Sequence, residues 1–414
     1  MKTGKIRRIA RYVAACIVAA FGGLYTWLIW TPAPPPTPEI PSVDSRAGGP
    51  NQGAFTPTFV PALGGNPYGA CVRILAIEGG GVRGVIPAHI LAMIEERTHK
   101  AISAQFDLIV GTSTGALLAF GLTRPSDPDV QKPAFGAHDI EKLYRDYGRE
   151  VFPSSLGVLR SMRRIFRPKY LPTVLEMVLQ QYFEDVELGE ALTRVAVPAY
   201  EIEDHTRIWF DSYDSPYSSV YMRDIARGAT AAPTYLPPVR IAVSRDISSK
   251  GYVVAVDGGL FANNPSLEAL SRAHDLSLSG SGDDSVLLLS VGTGINFTKY
   301  SFDDVWRWGL ASWIDPLLEI AFSDPAIDTQ VRQIMKIRPQ DHYIRLQVDF
   351  GNSALPLDDA SAKTLAHFID VTKSAMSTEQ KLAEAVTQLS LPRSPQCERV
   401  GLDRQPRSGP RHPR

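Results

Sequence analysis

The sequence contains few cysteines, and it has no excess of charge of either sign. Its three cysteines, Cys16, Cys71 and Cys397, are spaced too widely for a zinc knuckle or a redox pair. A Cys71–Cys397 disulfide stays open as an alternative, but Cys397 lies in a terminal segment with little to hold it, so we expect no disulfide framework and no metal. The formal net charge is −1, and the basic excess needed to bind nucleic acid is therefore lacking.

The N-terminal region has the composition of a membrane anchor. Residues 12–30 form an uncharged, mostly apolar run, nearly long enough for a helix to span a ~30 Å hydrocarbon core. The positive-inside rule predicts a cytoplasmic N-terminus and an extracytoplasmic remainder, hence a single-pass membrane protein. Signal cleavage is the alternative, but the run ends in large residues where a peptidase needs small ones. The cations before the run are Lys2, Lys5, Arg7, Arg8 and Arg11.

The rest of the chain divides by composition into three parts. Residues 31–70 are rich in proline and poor in charge, which predicts an extended linker. Over residues 71–391, strands alternate with helices, which predicts an α/β domain whose mainly parallel sheet has helices on both faces. Residues 392–414 predict a disordered basic tail. We expect strands at 72–77, 106–110, 206–210, 252–256 and 285–290, helices at 84–98, 114–122, 139–147, 172–182 and 266–275, and a charged amphipathic helix or helix pair at 358–389.

Two glycine-framed turns follow apolar strands early in this domain. The second turn, G-T-S-T-G, places Ser113 between Gly111 and Gly115. Small residues on both sides let the chain reverse from strand to helix while the hydroxyl projects from the apex. The turn therefore has the pattern of a nucleophile elbow, although such turns also recur by chance.

The first turn, E-G-G-G-V-R-G at 78–84, permits two interpretations. Its glycines fit G-x-G-x-x-G after a strand, which is typical of a dinucleotide-binding loop with an acidic residue about 20 residues on. Asp107 has roughly that distance, but it begins the next apolar run and would lie at the wrong edge of the sheet. Alternatively, the backbone N–H groups of Gly79, Gly80 and Gly81, just before a helix, form an oxyanion hole. We favour the oxyanion hole.

A third motif complements the two turns. A strand at 252–256 delivers Asp257 to a turn at Gly258, and the chain continues to N-N-P. The three motifs occur in the order found in the patatin-like phospholipase family, which this chain resembles from about residue 72 to about residue 346. The similarity includes S-V-G-T-G at 290–294. Glu78 departs from the pattern, because the family more often has Asp before the glycines.

The resemblance implies a patatin-like fold and a serine acyl hydrolase that needs no cofactor or metal. Ser113 would attack an acyl ester of a phospholipid or other lipid, with Asp257 as its base in a Ser-Asp dyad. Because a carboxylate is poorly matched to a serine hydroxyl, Asp257 must bond the hydroxyl directly and be partly desolvated. Gly111, Gly115 and Gly258 would support these side chains.

Several alternatives stay open. Arg83 would either hold the glycine loop, meet a substrate phosphate or pair with a local carboxylate. A histidine could serve as a third catalytic member, although none lies in a motif. A non-catalytic interaction or sensor protein could use the same fold, and the glycine turn leaves a nucleotide-dependent oxidoreductase as a further possibility. The oligomeric state does not follow from the sequence.

Overall fold

The structure, a computed structural model, describes part of the chain and divides it into two units. The larger unit comprises residues 64–298 and 315–414, and the smaller comprises 1–63 and 299–314. Of the smaller unit, the structure describes 300–314, which contain one short helix, Phe302–Trp306, and the start of another. The described residues are 68–127, 130–153, 167–213, 216–277, 285–295, 300–321, 325–351, 357–393 and 397.

An eight-stranded sheet forms the centre of the larger unit. The strands of this sheet are β1 (Val72–Ile77), β2 (Leu108–Gly111), β5 (Arg194–Glu201), β6 (Thr206–Asp211), β7 (Val239–Ala242), β8 (Tyr252–Asp257), β9 (Val286–Val291) and β10 (His342–Leu346), while β3 (Pro125–Asp127) and β4 (Val130–Pro133) form a separate pair. Five neighbouring strands, in the order β10, β9, β1, β2 and β5, are parallel. Strands β6, β7 and β8 are antiparallel to their partners. The predicted α/β class with a mainly parallel sheet is confirmed.

Helices connect these strands. They are α1 (Val85–Thr98), α2 (Ile102–Gln105), α3 (Thr114–Thr123), α4 (Ala137–Val151), α5 (Thr173–Phe183), α6 (Met222–Ala229), α7 (Gly259–Ala262), α8 (Ser266–Ser277), α9 (Phe302–Trp306), α10 (Leu310–Ala321), α11 (Pro325–Met335), α12 (Ala362–Ser377) and α13 (Gln380–Ser390), with 3-10 turns at Gly81–Gly84 and Leu188–Glu190. The expected amphipathic stretch at 358–389 is thus a helix pair. The five predicted strands and five predicted helices are present with shifts of a few residues at their ends.

The sheet is covered on both faces. Successive side chains of a strand point to opposite sides, and β1 shows the result: Leu75 and Ile77 pack into the larger apolar cluster. Ile74 and Ala76, from the same strand, pack into the second cluster together with residues of α8 and α11. A strand that is buried on both faces has a nearly continuous run of apolar residues, and the sequence of β1, V-R-I-L-A-I, fits this pattern.

Strand β5 extends past the end of β2 and thereby positions β8. Ala196 of β5 pairs with Val110, near the end of β2. The strand continues, and Ala199 pairs with Asp257 at the end of antiparallel β8. Because β8 runs back toward the carboxyl end of β2, its last residue arrives beside the turn that begins at Gly111.

Three residues of the predicted tail at 392–414 are attached to the amino end of β1, namely those at positions 392, 393 and 397. The remainder of the tail, 394–396 and 398–414, lies outside the described residues. Cys71 and Cys397 form a disulfide with a Cα–Cα distance of 5.3 Å, so the expectation of no disulfide is wrong. The Arg393 guanidinium donates to Asp107 Oδ1 at 2.7 Å, and the N–H of Gly69 donates to a carbonyl at position 392. These contacts supply the fixed geometry that a disulfide needs and that the composition of the tail does not indicate.

The expected membrane localisation requires a correction. Among the residues that the structure describes, no helix is long and apolar enough to cross a membrane. The longest of them, α12, has 16 residues, fewer than the ~20 that a bilayer requires. The run at 12–30, on which the single-pass prediction depended, lies outside the described residues, as does the linker up to residue 67.

Candidate active site

Ser113 lies at a sharp turn between β2 and α3. Its φ of 53° is in the left-handed region, which a residue other than glycine adopts only when its surroundings impose it. The turn needs glycine on both sides: a Cβ at Gly111 would lie 2.1 Å from the carbonyl oxygen of Gly115, and a Cβ at Gly115 would lie 2.4 Å from that of Ile77. The sequence therefore folds into a tight elbow with the serine at its apex.

Asp257 contacts the serine directly. Ser113 Oγ donates to Asp257 Oδ2 at 2.6 Å, and the N–H of Gly259 donates to Oδ1 at 2.8 Å. The Asp257 side chain is fully buried. This burial raises its pKa to about 7, against the opposing effect of the two hydrogen bonds. Gly258 allows the close turn, since a Cβ there would lie 2.4 Å from the carbonyl oxygen of Pro198.

The three glycines of the first turn have different surroundings. The N–H of Gly79 donates to the carbonyl oxygen of Asn263 at 3.1 Å, so this donor already has a backbone partner. Gly80 and Gly81 line the same pocket as Ser113. Gly81 has φ of +58°, and a Cβ there would lie 2.2 Å from the carbonyl oxygen of Leu357. The turn therefore accepts only glycine at this position without rearrangement.

Side chains at or just beyond the carboxyl ends of β9 and β10, not foreseen from the sequence, hold the glycine turn. Thr293 Oγ1 donates to the carbonyl oxygen of Gly79 at 2.8 Å. The buried Glu78 forms an ion pair with Arg345, and Gln347 Nε2 donates to its other oxygen at 3.3 Å. The departure from the family pattern at Glu78 thus has a structural role, which is to join the turn to β10.

A chain of buried polar contacts continues from Arg345 to the loop after Asp257. Arg345 Nη1 donates to Ser290 Oγ at 2.8 Å, and Ser290 Oγ lies 2.7 Å from Ser266 Oγ. Ser266 Oγ in turn donates to Asn264 Oδ1 at 2.6 Å. The two loops that carry the glycines and the aspartate are therefore coupled by one network, which fixes their relative positions.

Arg83 lies beside the glycine turn. Its Nε approaches the carbonyl oxygen of Gly80 at 3.4 Å, a long contact that supports the turn. The side chain is half-buried, and burial lowers the pKa of the guanidinium while the nearby Glu78 opposes that shift. This geometry agrees with a role in holding the loop, and a contact with a substrate phosphate stays a prediction.

The pocket above the serine contains about 690 Å³ of empty space, part of which is open to solvent. Its walls are largely apolar, and none of the described histidines lines it; His89, for example, bonds Glu141 on α4. Within the described ranges, no group of three His, Cys, Asp or Glu residues could hold a metal ion. The main apolar lining residues are Leu117, Phe152, Leu175, Tyr235 and Leu236.

Asp107, which the dinucleotide interpretation requires, lies at the other end of the sheet. Its Oδ2 accepts from the backbone N–H of Arg73 at 2.8 Å, and its Oδ1 accepts from Arg393. Both carboxylate oxygens are thus engaged at the amino ends of β1 and β2. The geometry does not support a ribose contact from this residue.

A fold with a serine elbow, a buried carboxylate partner and a glycine turn on one sheet edge has clear relatives. The family model described as patatin-like phospholipase matches residues 75–270. Patatin-like protein 1 of Arabidopsis thaliana is 30% identical over 76% of this chain and 81% of its own length. Probable inactive patatin-3-Kuras 1 of Solanum tuberosum is 31% identical over 74% and 87%, respectively. The chain belongs to the patatin-like phospholipase family, as its motifs predicted.

Solved structures give a weaker likeness. Human GIVD cytosolic phospholipase A2 is 12% identical, with a TM-score of 0.41, over 77% of this chain and 60% of that one.

Proposed function

We propose that this chain is a lipid acyl hydrolase that cleaves acyl esters of phospholipids or related lipids. The observation that carries the proposal is the 2.6 Å hydrogen bond from Ser113 Oγ to the buried Asp257, in an apolar pocket. Family membership alone is not sufficient evidence of catalytic activity, because one relative is named as probably inactive. The intact serine and carboxylate favour turnover over a non-catalytic role in interaction or sensing.

In the proposed first step, Ser113 Oγ attacks the ester carbonyl carbon as its proton moves to Asp257 Oδ2. The raised pKa of about 7 makes this carboxylate a stronger base than an exposed one. The N–H groups of Gly80 and Gly81 are our candidates for stabilising the oxyanion. The tetrahedral intermediate collapses, the alcohol leaves with the proton from Asp257, and Ser113 remains acylated.

In the second step, water attacks the acyl-enzyme. Asp257 accepts a proton from the water, the fatty acid leaves, and the proton returns to Ser113 Oγ. No histidine is required, because the carboxylate contacts the hydroxyl directly. The head group, the position of the cleaved ester and the need for activation are outside this proposal.

A fluorophosphonate probe tests the nucleophile, because it forms a covalent bond with an activated serine. We expect labelling of the wild-type protein at Ser113 and none of Ser113→Ala, together with loss of ester hydrolysis. Ser361→Ala is the control, since that serine caps α12 and lies outside the pocket. Equal labelling of wild type and Ser113→Ala would overturn the assignment.

A further inference from the structure

A second cavity adjoins the catalytic pocket and contains about 670 Å³ of empty space, part of which is open to solvent. We call it the rear cavity. Helices α3, α4 and α5 supply most of its walls, and among the described residues no charged side chain lines it. The polar atoms on its walls are essentially tyrosine hydroxyls, so it offers very little to a head group. Lining residues that the catalytic pocket lacks include Gly121, Ile140, Tyr147, Val178, Leu179 and Phe183.

Four side chains line both cavities and form the wall between them: Leu117, Tyr144, Phe152 and Leu175. Leu117 follows Ser113 by four residues, about one helical turn, so this wall begins next to the nucleophile. A chain attached to Ser113 through its carbonyl carbon would reach the wall within a few methylenes.

The wall is not equally fixed along its length. Tyr144 is buried, and its hydroxyl bonds both Thr114 Oγ1 and, at 3.4 Å, the Thr114 carbonyl oxygen. Leu117 and Phe152 are only half-buried and make apolar contacts, so their rotamers can change without breaking a hydrogen bond. We expect passage between the cavities on the side of Leu117 and Phe152, with Tyr144 as the fixed side.

We propose that the rear cavity binds the distal half of a long, unbranched acyl chain whose ester carbonyl lies at Ser113. This inference rests on the proposed function and specifies its substrate class as long-chain acyl esters. Apolar walls favour methylenes by about fourfold in affinity for each one removed from water. The same walls would leave the polar groups of a head group without partners. The rear cavity therefore determines the preference for chain length.

The test fills the rear cavity without touching the catalytic pocket. Val178 on α5 is buried and lines the rear cavity alone, so Val178→Phe should block it. Val174 lies one turn earlier on the same helix, is half-buried and lines neither cavity. Val174→Phe is therefore the matched control for the cost of adding an aromatic ring to α5.

The activity readout is kcat/KM for 4-nitrophenyl butyrate and 4-nitrophenyl palmitate. We expect Val178→Phe to lower the value for palmitate by at least about tenfold, because several methylenes lose their site. Butyrate, which ends within the catalytic pocket, should change by less than about threefold. Val174→Phe should keep the wild-type ratio of the two substrates. An unchanged ratio in folded Val178→Phe would overturn the proposal.

A binding readout separates this proposal from the proposed function. In the Ser113→Ala background, cis-parinaric acid is titrated by fluorescence, and Val178→Phe should raise its Kd by about tenfold while Val174→Phe does not. If wild type hydrolysed no ester but this difference appeared, the proposed function would fail and the rear cavity would stand. Equal Kd values in the three proteins would overturn the proposal that the rear cavity binds the acyl chain, whether or not the wild-type protein hydrolyses esters.

A second variant covers the case in which Val178→Phe does not fold. Gly121 lies on α3, where alanine is a better helix former, and its added Cβ would lie 2.7 Å from Ile140 Cδ1. Gly121→Ala therefore pushes the end of Ile140, a residue of the cavity wall, aside. We expect a smaller shift of the palmitate to butyrate ratio, about threefold. No shift in a stable Gly121→Ala protein, with equal parinarate binding, would contradict the proposal.

Discussion

The two ends of β1 differ in the kind of contacts that surround them. Beyond the carboxyl end lie a fully buried carboxylate, Asp257, and a non-glycine residue with positive φ, Ser113, features that lower stability. At the amino end, the Cys71–Cys397 disulfide and an ion pair hold the C-terminal segment, features that raise stability. Substitutions at the carboxyl end should therefore change activity more than stability, and those at the amino end should do the reverse.

The largest expected effect is at the carboxyl end. Asp257→Asn should lower kcat for a short ester by roughly 10³- to 10⁴-fold, because the serine loses its base. The protein should remain folded, since asparagine has a similar volume and carries no charge. Steady-state kinetics and thermal unfolding measure the two properties, with exposed Asp246→Asn as the control. More than a tenth of wild-type activity would contradict the dyad.

The oxyanion assignment predicts the next largest effect. Gly81→Ala should lower kcat, because the displacement of one donor raises the activation free energy by about 2.7–4 kcal/mol. The added Cβ would displace the carbonyl of Leu357 and with it the glycine turn. We expect KM to change less than kcat. Gly351→Ala is the matched control, because Gly351 has a similar φ of +60°, but no atom of the described residues would lie within 4 Å of a Cβ there. Normal kcat in a folded Gly81→Ala protein would count against the assignment.

At the amino end, the expected effect is on stability. Replacing Cys71 and Cys397 together by serine should lower the free energy of unfolding by about 2–4 kcal/mol. The kcat at 25 °C should change by less than about twofold, since the disulfide lies at the opposite edge of the sheet from Ser113. Denaturant titration and kinetics give the two values, with Cys16→Ser as the control. A large loss of kcat would show that the two ends are coupled.

The smallest expected effect is a pH dependence from Asp257. Only the ionised carboxylate can accept the serine proton, so kcat/KM should rise with pH about a midpoint near 7. The free energy of unfolding should change with pH in the opposite sense. The raised pKa of Asp257 stabilises the folded state fully at pH values below 3.8, the ordinary pKa of the group, and this stabilisation is lost as the pH rises through about 7. Asp257→Asn should remove this loss. A flat kcat/KM between about pH 5 and pH 9 would contradict the assigned base.

The sequence predicted the parts of the site that depend on local turns. Asp257 ends β8 and precedes Gly258, and Ser113 lies just after β2 between Gly111 and Gly115, so each turn can be recognised from a few neighbouring residues. Strand β5 was not predicted, because R-V-A-V-P-A-Y-E contains a proline and has charges at both ends, which are unusual in a central strand. Yet β5 brings Asp257 beside Ser113. Its role depends on pairing rather than on its own pattern.

The supporting side chains were missed for a related reason. Thr293 is 214 residues from Gly79, and Arg345 is 267 residues from Glu78, so no local pattern connects them. The disulfide spans 326 residues. One signal was present: V-G-T-G at 291–294 follows a strand and repeats the small residues of the serine turn. Since β9 pairs with β1 in parallel, that turn lies at the same sheet edge as the glycine loop.

The pairing of Gly69 with Arg393 brings two positions near the ends of the described chain next to each other. A circular permutant follows from this: a short peptide could join the two positions, and new ends could open in the exposed turn at 244–250. In such a chain Asp257 would precede Ser113, although both would occupy the same places in the sheet. The order of the base and the nucleophile along the chain therefore depends on the position of the chain ends, and not on the geometry of the site.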